Sequence, residues 1–171
     1  MAETAKKQTK VLVIGTNHNI QRHQDTNAEL EVVRAEFEKL LRRVIKERNV
    51  NLIAEEAGDD TEVWKSLKKE EEALGKFAEA FGGGKIVDAP VPTIAKKIED
   101  EQPGELRHDD IRALNAEKLT VKERDAAMAA KVKEIAGGAD CIVVIVGEDH
   151  FEGVAKRLKD EGMSVECLHF P

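Results

Sequence analysis

The amino-acid sequence predicts an α/β fold: a single domain in which a largely parallel central sheet of about five strands has helices on both faces. Five short apolar runs are rich in Val, Ile and Leu without polar alternation, which is typical of strands covered on both sides. The runs are Val11–Ile14, Asn51–Ala54, Lys85–Val87, Cys141–Val146 and Ser164–Leu168. Stretches with helical periodicity lie between them, and parallel neighbours need crossover connections of that length. The 171 residues, 41% of them hydrophobic, suffice for one core. We therefore expect one domain over residues 1–171, with residues 1–9 flexible.

The longest helix is expected in TNAELEVVRAEFEKLLRRVIKERN, between the first two apolar runs. Its apolar residues recur at helical spacing opposite a charged side, and Thr26 with Glu29 forms a capping box at its start. A second helix is expected over Thr61–Phe81, because the three glycines after it favour a helix end. Prolines interrupt the next segment, where two short helices are expected, at Ile94–Glu99 and Asp109–Ala116.

Two further helices are expected near the C-terminus. Thr120 and Glu123 form a capping box ahead of an inward-facing apolar stripe, and two glycines end that helix. The last helix has Asp149 and Glu152 as candidate cap partners. Its apolar face is formed by Phe151, Val154 and Leu158.

Charge and hydropathy exclude several classes of partner. Lys and Arg number 27 against 34 Asp and Glu, a net charge of -7, so neither nucleic acid nor an anionic membrane is an expected partner. The longest apolar run, Cys141–Val146, is far shorter than the roughly 20 residues that span a bilayer. The polar N-terminus lacks the apolar centre of a secretory signal, so we expect a cytoplasmic protein.

Cys141 and Cys167 lie in strand-like segments without metal-ligand spacing and are expected to be buried free thiols. The sequence leaves the oligomeric state undetermined.

Two Gly-x-x-His segments follow the first and fourth predicted strands: GTNH at residues 15–18 and GEDH at residues 147–150. In the common strand order 3-2-1-4-5 these two strands flank the topological switch point, where ligands bind beyond the carboxyl ends. His18 and His150 are then expected on opposite sides of one crevice. Such a segment is also typical of an ordinary strand-to-helix turn, in which Gly tolerates positive φ and the polar residues cap the helix.

A carboxylate is expected at the same crevice, because LIAEEA places Glu55 and Glu56 at the end of the second strand. Alternation along a strand lets only one of them point inward, and Glu55 is the favoured residue. Two imidazoles and one carboxylate form a recurrent open metal site for zinc, manganese, iron or cobalt. Such a metal polarises a carbonyl and lowers the pKa of its bound water toward about 7, which favours hydrolysis of an amide or ester.

The other polar residues near strand ends are weaker candidates. His23, His108 and His169 lie in polar or terminal contexts and are expected at the surface or in local hydrogen bonds, although His23 could contribute from the first loop. Asp88 ends the third predicted strand, where Asp is common in ordinary turns.

These motifs resemble the TIKI/TraB superfamily, whose mark is two Gly-x-x-His motifs. Gly153 matches a family Gly three residues beyond the second His, Glu55 or Glu56 matches a Glu after the second strand, and Arg124 in ERDAAMAAKV matches an Arg that opens a late helix. The similarity extends from Val11 to about Leu158. The chain departs from the family in its shorter middle segment and in the acidic pair Glu148 and Asp149, which stands where small residues are more usual.

The resemblance implies a metal-dependent hydrolase of peptide or ester bonds, with a small-molecule or peptide substrate. It implies a divalent metal (Mn, Co or Zn) held by His18, Glu55 and His150, and Arg124 either orienting Glu55 or stabilising an oxyanion. The glycines of the motifs would border the binding crevice: Gly15, Gly147 and Gly153.

Two alternatives stay open on the sequence. A non-catalytic module could hold a metal, haem or a small anion in the same crevice, although 4% aromatic residues and no Tyr disfavour haem. The GTN loop could bind phosphate through backbone N–H groups, but neither a Gly-x-Gly-x-x-Gly motif nor a P-loop Lys is present. Glu148 and Asp149 could ligate a metal, repel an anionic substrate or cap the last helix.

Overall fold

The structure, a computed structural model, describes residues 7–21, 28–56, 93–102, 104–114 and 116–171. Several sequence predictions lie outside these residues: the helix Thr61–Phe81, the strand Lys85–Val87 with Asp88, the cap residue Thr26, His23, and residues 1–6 of the stretch expected to be flexible. The single-domain prediction for residues 1–171 also extends over this part of the chain.

Five parallel strands form the central sheet of the described residues. They are β1 (Lys10–Thr16), β2 (Leu52–Glu55), β3 (Arg107–Asp110), β4 (Cys141–Gly147) and β5 (Ser164–His169). Their order across the sheet is β3-β2-β4-β1-β5, and every neighbouring pair runs parallel. The α/β fold class with a five-stranded parallel sheet is confirmed.

Helices cover both faces of this sheet. They are α1 (His18–Gln21), α2 (Ala28–Arg48), α3 (Ile94–Asp100), α4 (Val121–Ile135) and α5 (Phe151–Asp160), with a 3-10 turn at Ala116–Lys118. The apolar side chains of α2 and α3 pack on one face, and those of α4 and α5 pack on the other. None of the described helices is both long enough and apolar enough to cross a membrane.

Alternation along the central strands divides the core into two layers. In β1, Val11 and Val13 point to the face covered by α4 and α5, whereas Leu12 and Ile14 point to the face covered by α2 and α3. All seven residues of β4 are buried. Since both faces are covered there, β1 and β4 need apolar residues at almost every position, which explains their unbroken apolar runs in the sequence.

The strand order differs from the expected 3-2-1-4-5 at one point. β4 lies between β1 and β2, so β2 pairs with β4 and not with β1. β1 and β4 are nevertheless direct neighbours. The chain leaves β1 toward the α2 face and leaves β4 toward the α5 face, which makes the gap between their carboxyl ends a topological switch point.

The segment after α3 contains a strand where a helix was expected. β3 occupies Arg107–Asp110 and the chain then passes to a 3-10 turn, so the predicted helix at Asp109–Ala116 is wrong. The open edge of β2 explains the difference, because residues 107–111 hydrogen-bond to it: Arg107 N–H donates to Asn51 O at 3.0 Å, and Ile111 N–H donates to Glu55 O at 3.0 Å. The short helix expected at Ile94–Glu99 is confirmed as α3.

The capping predictions have mixed outcomes. Thr120 caps α4 by accepting a hydrogen bond from the Glu123 N–H at 3.2 Å, as predicted. For α5 the prediction is wrong, because the N-cap residue is His150 and no side chain caps that helix. The imidazole of His150 is used elsewhere, in the contacts described below.

The two cysteines are free but are not equivalent. Cys141 is buried at the start of β4, and burial raises the pKa of its thiol. Cys167 is exposed, contrary to the expectation that both thiols are buried. The reason is the position of β5 at the edge of the sheet, where few of its side chains are covered.

Candidate functional site

A polar cleft lies at the carboxyl ends of β1 and β4. Its volume is about 360 Å³. Eight described residues line it: Thr16, Asn17, Glu56, Arg124, Gly147, Glu148, Asp149 and His150. The loop after β1, the residue after β2, the first turn of α4 and the loop after β4 all contribute, so residues distant in the chain meet at this edge of the sheet.

His150 is the most constrained side chain of the cleft. It lies three residues after the end of β4, is 4% exposed, and its backbone N–H donates to Gly147 O at 3.0 Å, closing a tight turn. Its Nδ1 lies 2.6 Å from Asp125 Oδ1. Because an ionised carboxylate can only accept, Nδ1 carries a hydrogen, and in the neutral imidazole the lone pair is then on Nε2. Asp125 therefore sets both the orientation and the tautomer of the imidazole.

Glu56 approaches His150 from the other side of the ring. One carboxylate oxygen, Oε2, accepts a hydrogen bond from the Gly147 N–H at 3.0 Å, and the other, Oε1, lies 3.6 Å from His150 Nε2. This separation is too long for a hydrogen bond. It is close to the ~3.4 Å that separates two ligands bound about 2.1 Å from one tetrahedral ion. The pair thus has the spacing of two ligands that share a small ion.

Asp125 reaches His150 only because Gly153 has no side chain. Asp125 is buried in the first turns of α4, and Gly153 lies on α5, the helix that packs beside it. A Cβ added at Gly153 would overlap the Asp125 carboxylate. Gly15 has a similar role in β1, where a Cβ would come within 2.6 Å of the Phe151 ring. Gly15 and Gly153 therefore make room for side chains of the protein itself. Gly147 takes part in the site through its backbone N–H, which donates to Glu56.

Glu55, the favoured carboxylate of the sequence analysis, lies on the opposite face of the sheet from Glu56. It is fully buried and does not line the cleft. Its oxygens accept hydrogen bonds from Gln21 Nε2 at 3.2 Å and Thr93 Oγ1 at 2.7 Å, and His108 Nε2 lies 2.6 Å away. The structure therefore places Glu56, not Glu55, beside His150.

The reason why Glu56 and not Glu55 faces the cleft is the alternation of side chains along β2. Ala54 faces the α4 and α5 layer, so Glu56, two residues on, faces the same layer and Glu55 the other. His150 lies in that layer too, because its ring contacts Asp125 of α4. The pairing of β2 with β4 brings Glu56 close to the loop that carries His150. His108, expected at the surface or in a local hydrogen bond, binds Glu55 from the neighbouring strand β3 and its side chain is only 10% exposed.

Arg124 and Thr16 contribute buried polar atoms without partners. Arg124 is in the first turn of α4 and lines the cleft, and its Nε is buried without a hydrogen-bond partner among the described residues. The Thr16 hydroxyl, at the end of β1, is also buried without a hydrogen-bond partner among the described residues. Buried donors without partners are uncommon in folded proteins and call for an explanation.

His18 begins α1, two residues after the end of β1. Its backbone is therefore at the carboxyl end of the strand that neighbours β4. The position of its side chain lies outside what the structure describes, so its convergence with His150 stays a prediction. His169, at the end of β5, is half-exposed and its Nε2 lies 3.2 Å from Glu148 Oε1, at the margin of the cleft.

Asp125 is the site residue that the sequence analysis missed. A signal was present, because Asp125 occupies the inward-facing stripe of α4 together with Met128 and Val132, at helical spacing. A charged residue at an inward position must be paired when buried, and His150 is that partner.

In the part of the chain that the structure describes, no group of three or more His, Cys, Asp and Glu side chains is arranged to hold a metal ion. His150 and Glu56 form a pair of candidate ligands, and a third ligand would have to come from elsewhere, for which the sequence analysis names His18.

Fold and cleft together define a parallel α/β protein with a polar, His- and Glu-containing cleft at its topological switch point, the usual ligand position in this architecture. No family model matches the chain, and no curated protein and no solved structure shows a significant match to it. Its function is therefore argued from the cleft itself.

Proposed function

We propose that this protein is a metal-dependent hydrolase that acts on a peptide or ester bond of a small substrate in the cleft between β1 and β4. One observation carries the proposal: His150 is held between two carboxylates, with Asp125 on Nδ1 and Glu56 at 3.6 Å from Nε2. Such a histidine presents an oriented lone pair to the cleft, as a metal ligand or a general base requires.

The donor set suits a divalent ion such as Zn, Mn or Co. His150 and Glu56 would hold it, and His18 is the third ligand on sequence grounds. Metal-bound histidines commonly donate their other N–H to a carboxylate, which is the relation between His150 and Asp125. When bound, the ion would polarise the substrate carbonyl and lower the pKa of a water toward about 7.

The chain's own residues have distinct tasks in this proposal. Asp125 keeps the imidazole of His150 in one tautomer and one orientation. Glu56 has one oxygen fixed by the Gly147 N–H and the other directed toward His150, so its carboxylate is held in place as the second ligand. Arg124 places a permanent positive charge at the cleft, where it can bind a negatively charged group of the substrate.

Membership of the TIKI/TraB superfamily is part of the proposal. It is supported by the two Gly-x-x-His segments, which follow adjacent strands, and by the meeting of Glu56, Arg124 and His150 in one cleft. The carboxylate of the second strand is then Glu56. The proposed partner is a small-molecule or peptide substrate, with neither nucleic acid nor membrane.

The second candidate function is a binding module that holds a metal or small anion without turnover. It is favoured by the small number of metal ligands, since the described residues supply two candidates, His150 and Glu56, and not three. The two functions share the cleft and differ in whether bond cleavage follows binding.

Metal analysis of matched glutamate variants tests the site. Wild type should bind about one Mn, Co or Zn ion per chain. Glu56→Gln and His150→Ala should each weaken that binding by more than the roughly 10- to 100-fold that loss of an outer-shell partner causes. Glu55→Gln is the control, because it changes the adjacent buried carboxylate on the opposite face of the sheet. Thermal unfolding would verify that each variant is folded.

Turnover of peptide and ester panels by the metal-loaded protein then separates the two functions. Cleavage that is lost in Glu56→Gln and kept in Glu55→Gln supports the hydrolase. Metal binding without cleavage supports the binding module. Unchanged metal affinity in both Glu56→Gln and His150→Ala would refute the shared site.

A further inference from the structure

Two hydrogen-bond donors without partners lie at the cleft. Arg124 Nε and Thr16 Oγ1 are both buried and lack partners in the described structure, and both residues line the cleft. Thr16 is 0% exposed, so bulk water does not satisfy its hydroxyl, and a ligand contacts it only after the side chains around it shift. A buried donor left unsatisfied costs stability, so two of them at one cleft are expected where a ligand supplies the missing acceptors.

The charges around the cleft restrict the ligand. Among the described lining residues Arg124 is the one Lys or Arg, and it stands with the three carboxylates of Glu56, Glu148 and Asp149. The Glu56 carboxylate accepts a hydrogen bond from the Gly147 N–H, and the Glu148 carboxylate lies 3.2 Å from His169 Nε2. An anion that binds Arg124 gains a charge-assisted bond, but a dianion such as a phosphate ester is repelled by these carboxylates. These charges favour a ligand that carries one carboxylate and is otherwise neutral or positively charged.

The size of the cleft restricts the ligand further. A volume of about 360 Å³ is near the lower end of the roughly 300–1,000 Å³ of small-molecule sites. It suits an acylated amino acid or the last residues of a peptide better than an internal segment of a long chain.

We propose that Arg124 and Thr16 form a subsite for the free α-carboxylate of the substrate, and that the protein removes a C-terminal amino acid from a short peptide or an acylated amino acid. The inference rests on the proposed hydrolase function. In the reaction, water adds its oxygen to the acyl carbon, the C–N bond breaks, and the leaving amine takes up a proton, so the products are a new carboxylic acid and the free amino acid. The guanidinium presents a planar fork of N–H donors that matches a carboxylate.

Binding measurements with an acid and its amide test the subsite without turnover. The probes are N-acetylalanine, N-acetylalanine amide and inorganic phosphate, titrated calorimetrically into wild type and variants. We expect the acid to bind at least roughly 10-fold more tightly than the amide, and Arg124→Gln to weaken acid binding by roughly 10- to 100-fold. Arg124→Lys should restore only part of it, because Lys lacks the fork. The control is Arg43→Gln, which removes an exposed guanidinium from α2.

Thr16→Val distinguishes a binding role from a structural one. Since the Thr16 hydroxyl has no partner, its replacement by a similarly shaped apolar side chain should leave thermal stability unchanged or raise it. Binding of N-acetylalanine should nevertheless fall. Loss of stability without loss of binding would contradict the assignment of Thr16.

Equal affinity for the acid and the amide, unchanged acid binding in Arg124→Gln, or tighter binding of phosphate than of the acid would each overturn the carboxylate subsite. Turnover of peptides with a free and an amidated C-terminus separates this inference from the function on which it rests. Equal cleavage of both peptides refutes the subsite and keeps the hydrolase. Selective acid binding that depends on Arg124, with no cleavage of either peptide, keeps the subsite and refutes the hydrolase.

Discussion

Substituting Ala for Gly153 should push the Asp125 carboxylate away from α5 and release His150. A Cβ at position 153 would overlap the Asp125 carboxylate, which lies 2.6 Å from His150 Nδ1. Both Asp125 and His150 are buried, so neither side chain can move without disturbing the packing of α4 against α5. Gly153→Ala should therefore lower the free energy of unfolding, and displacement of the Asp125 side chain is the expected cause.

The magnitude follows from three contributions. Overpacking a close contact costs about 1–3 kcal/mol. Weakening the charge-assisted bond between Asp125 and His150 costs about 1.5–3 kcal/mol. The better helix propensity of Ala returns about 1 kcal/mol. The net expectation for Gly153→Ala is a decrease of about 1.5–5 kcal/mol in the free energy of unfolding.

A double-mutant cycle with Asp125→Ala tests the cause. Removing the carboxylate leaves space for the new Cβ, so Gly153→Ala should be neutral or stabilising by up to about 1 kcal/mol in that background. Urea unfolding followed by circular dichroism gives the four free energies. The matched control is Gly137→Ala, since a Cβ there meets no atom within 4 Å, and it should be neutral or slightly stabilising. An equal cost of Gly153→Ala in both backgrounds would refute the displacement of Asp125.

Three further predictions concern the rest of the domain. Thr120→Ala removes the hydroxyl that caps α4 and should lower the free energy of unfolding by about 1 kcal/mol, measured by urea unfolding. With Ellman's reagent, the exposed Cys167 should react at once, and the buried Cys141, whose pKa is raised by burial, only on unfolding; simultaneous reaction of both would contradict this. The hydrogen bond from Arg42 lowers the pKa of Glu38, so its stabilisation is present above the unfolded pKa of about 4.3 and is lost as the pH falls through the folded value. Stability measured between pH 6 and 3 should therefore fall less steeply in Glu38→Gln, and an unchanged slope would count against this pair.

Much of the candidate site could be located from the sequence, but its contacts could not. The segment Gly147–His150 follows the most apolar run of the chain, and that signal alone placed His150 at the end of a buried strand. Which of the two adjacent carboxylates would meet it depended on the face of the sheet to which each side chain points, because adjacent residues of a strand point to opposite faces. The sequence analysis favoured Glu55, but no local signal fixed the face, and the structure places Glu56 beside His150.

Local patterns determined the fold class, most of the strands, α3, α4, α5 and the cap at Thr120, because periodicity and capping are set by residues a few positions apart. Tertiary structure alone decided the strand order, the strand at Arg107–Asp110 and the exposure of Cys167, because each depends on which edge of the sheet is open. It also decided that Asp125 is paired with His150 across α4 and α5. That pairing requires a glycine on the facing helix, and the close approach of two helices distant in the chain is set by packing and not by any local signal.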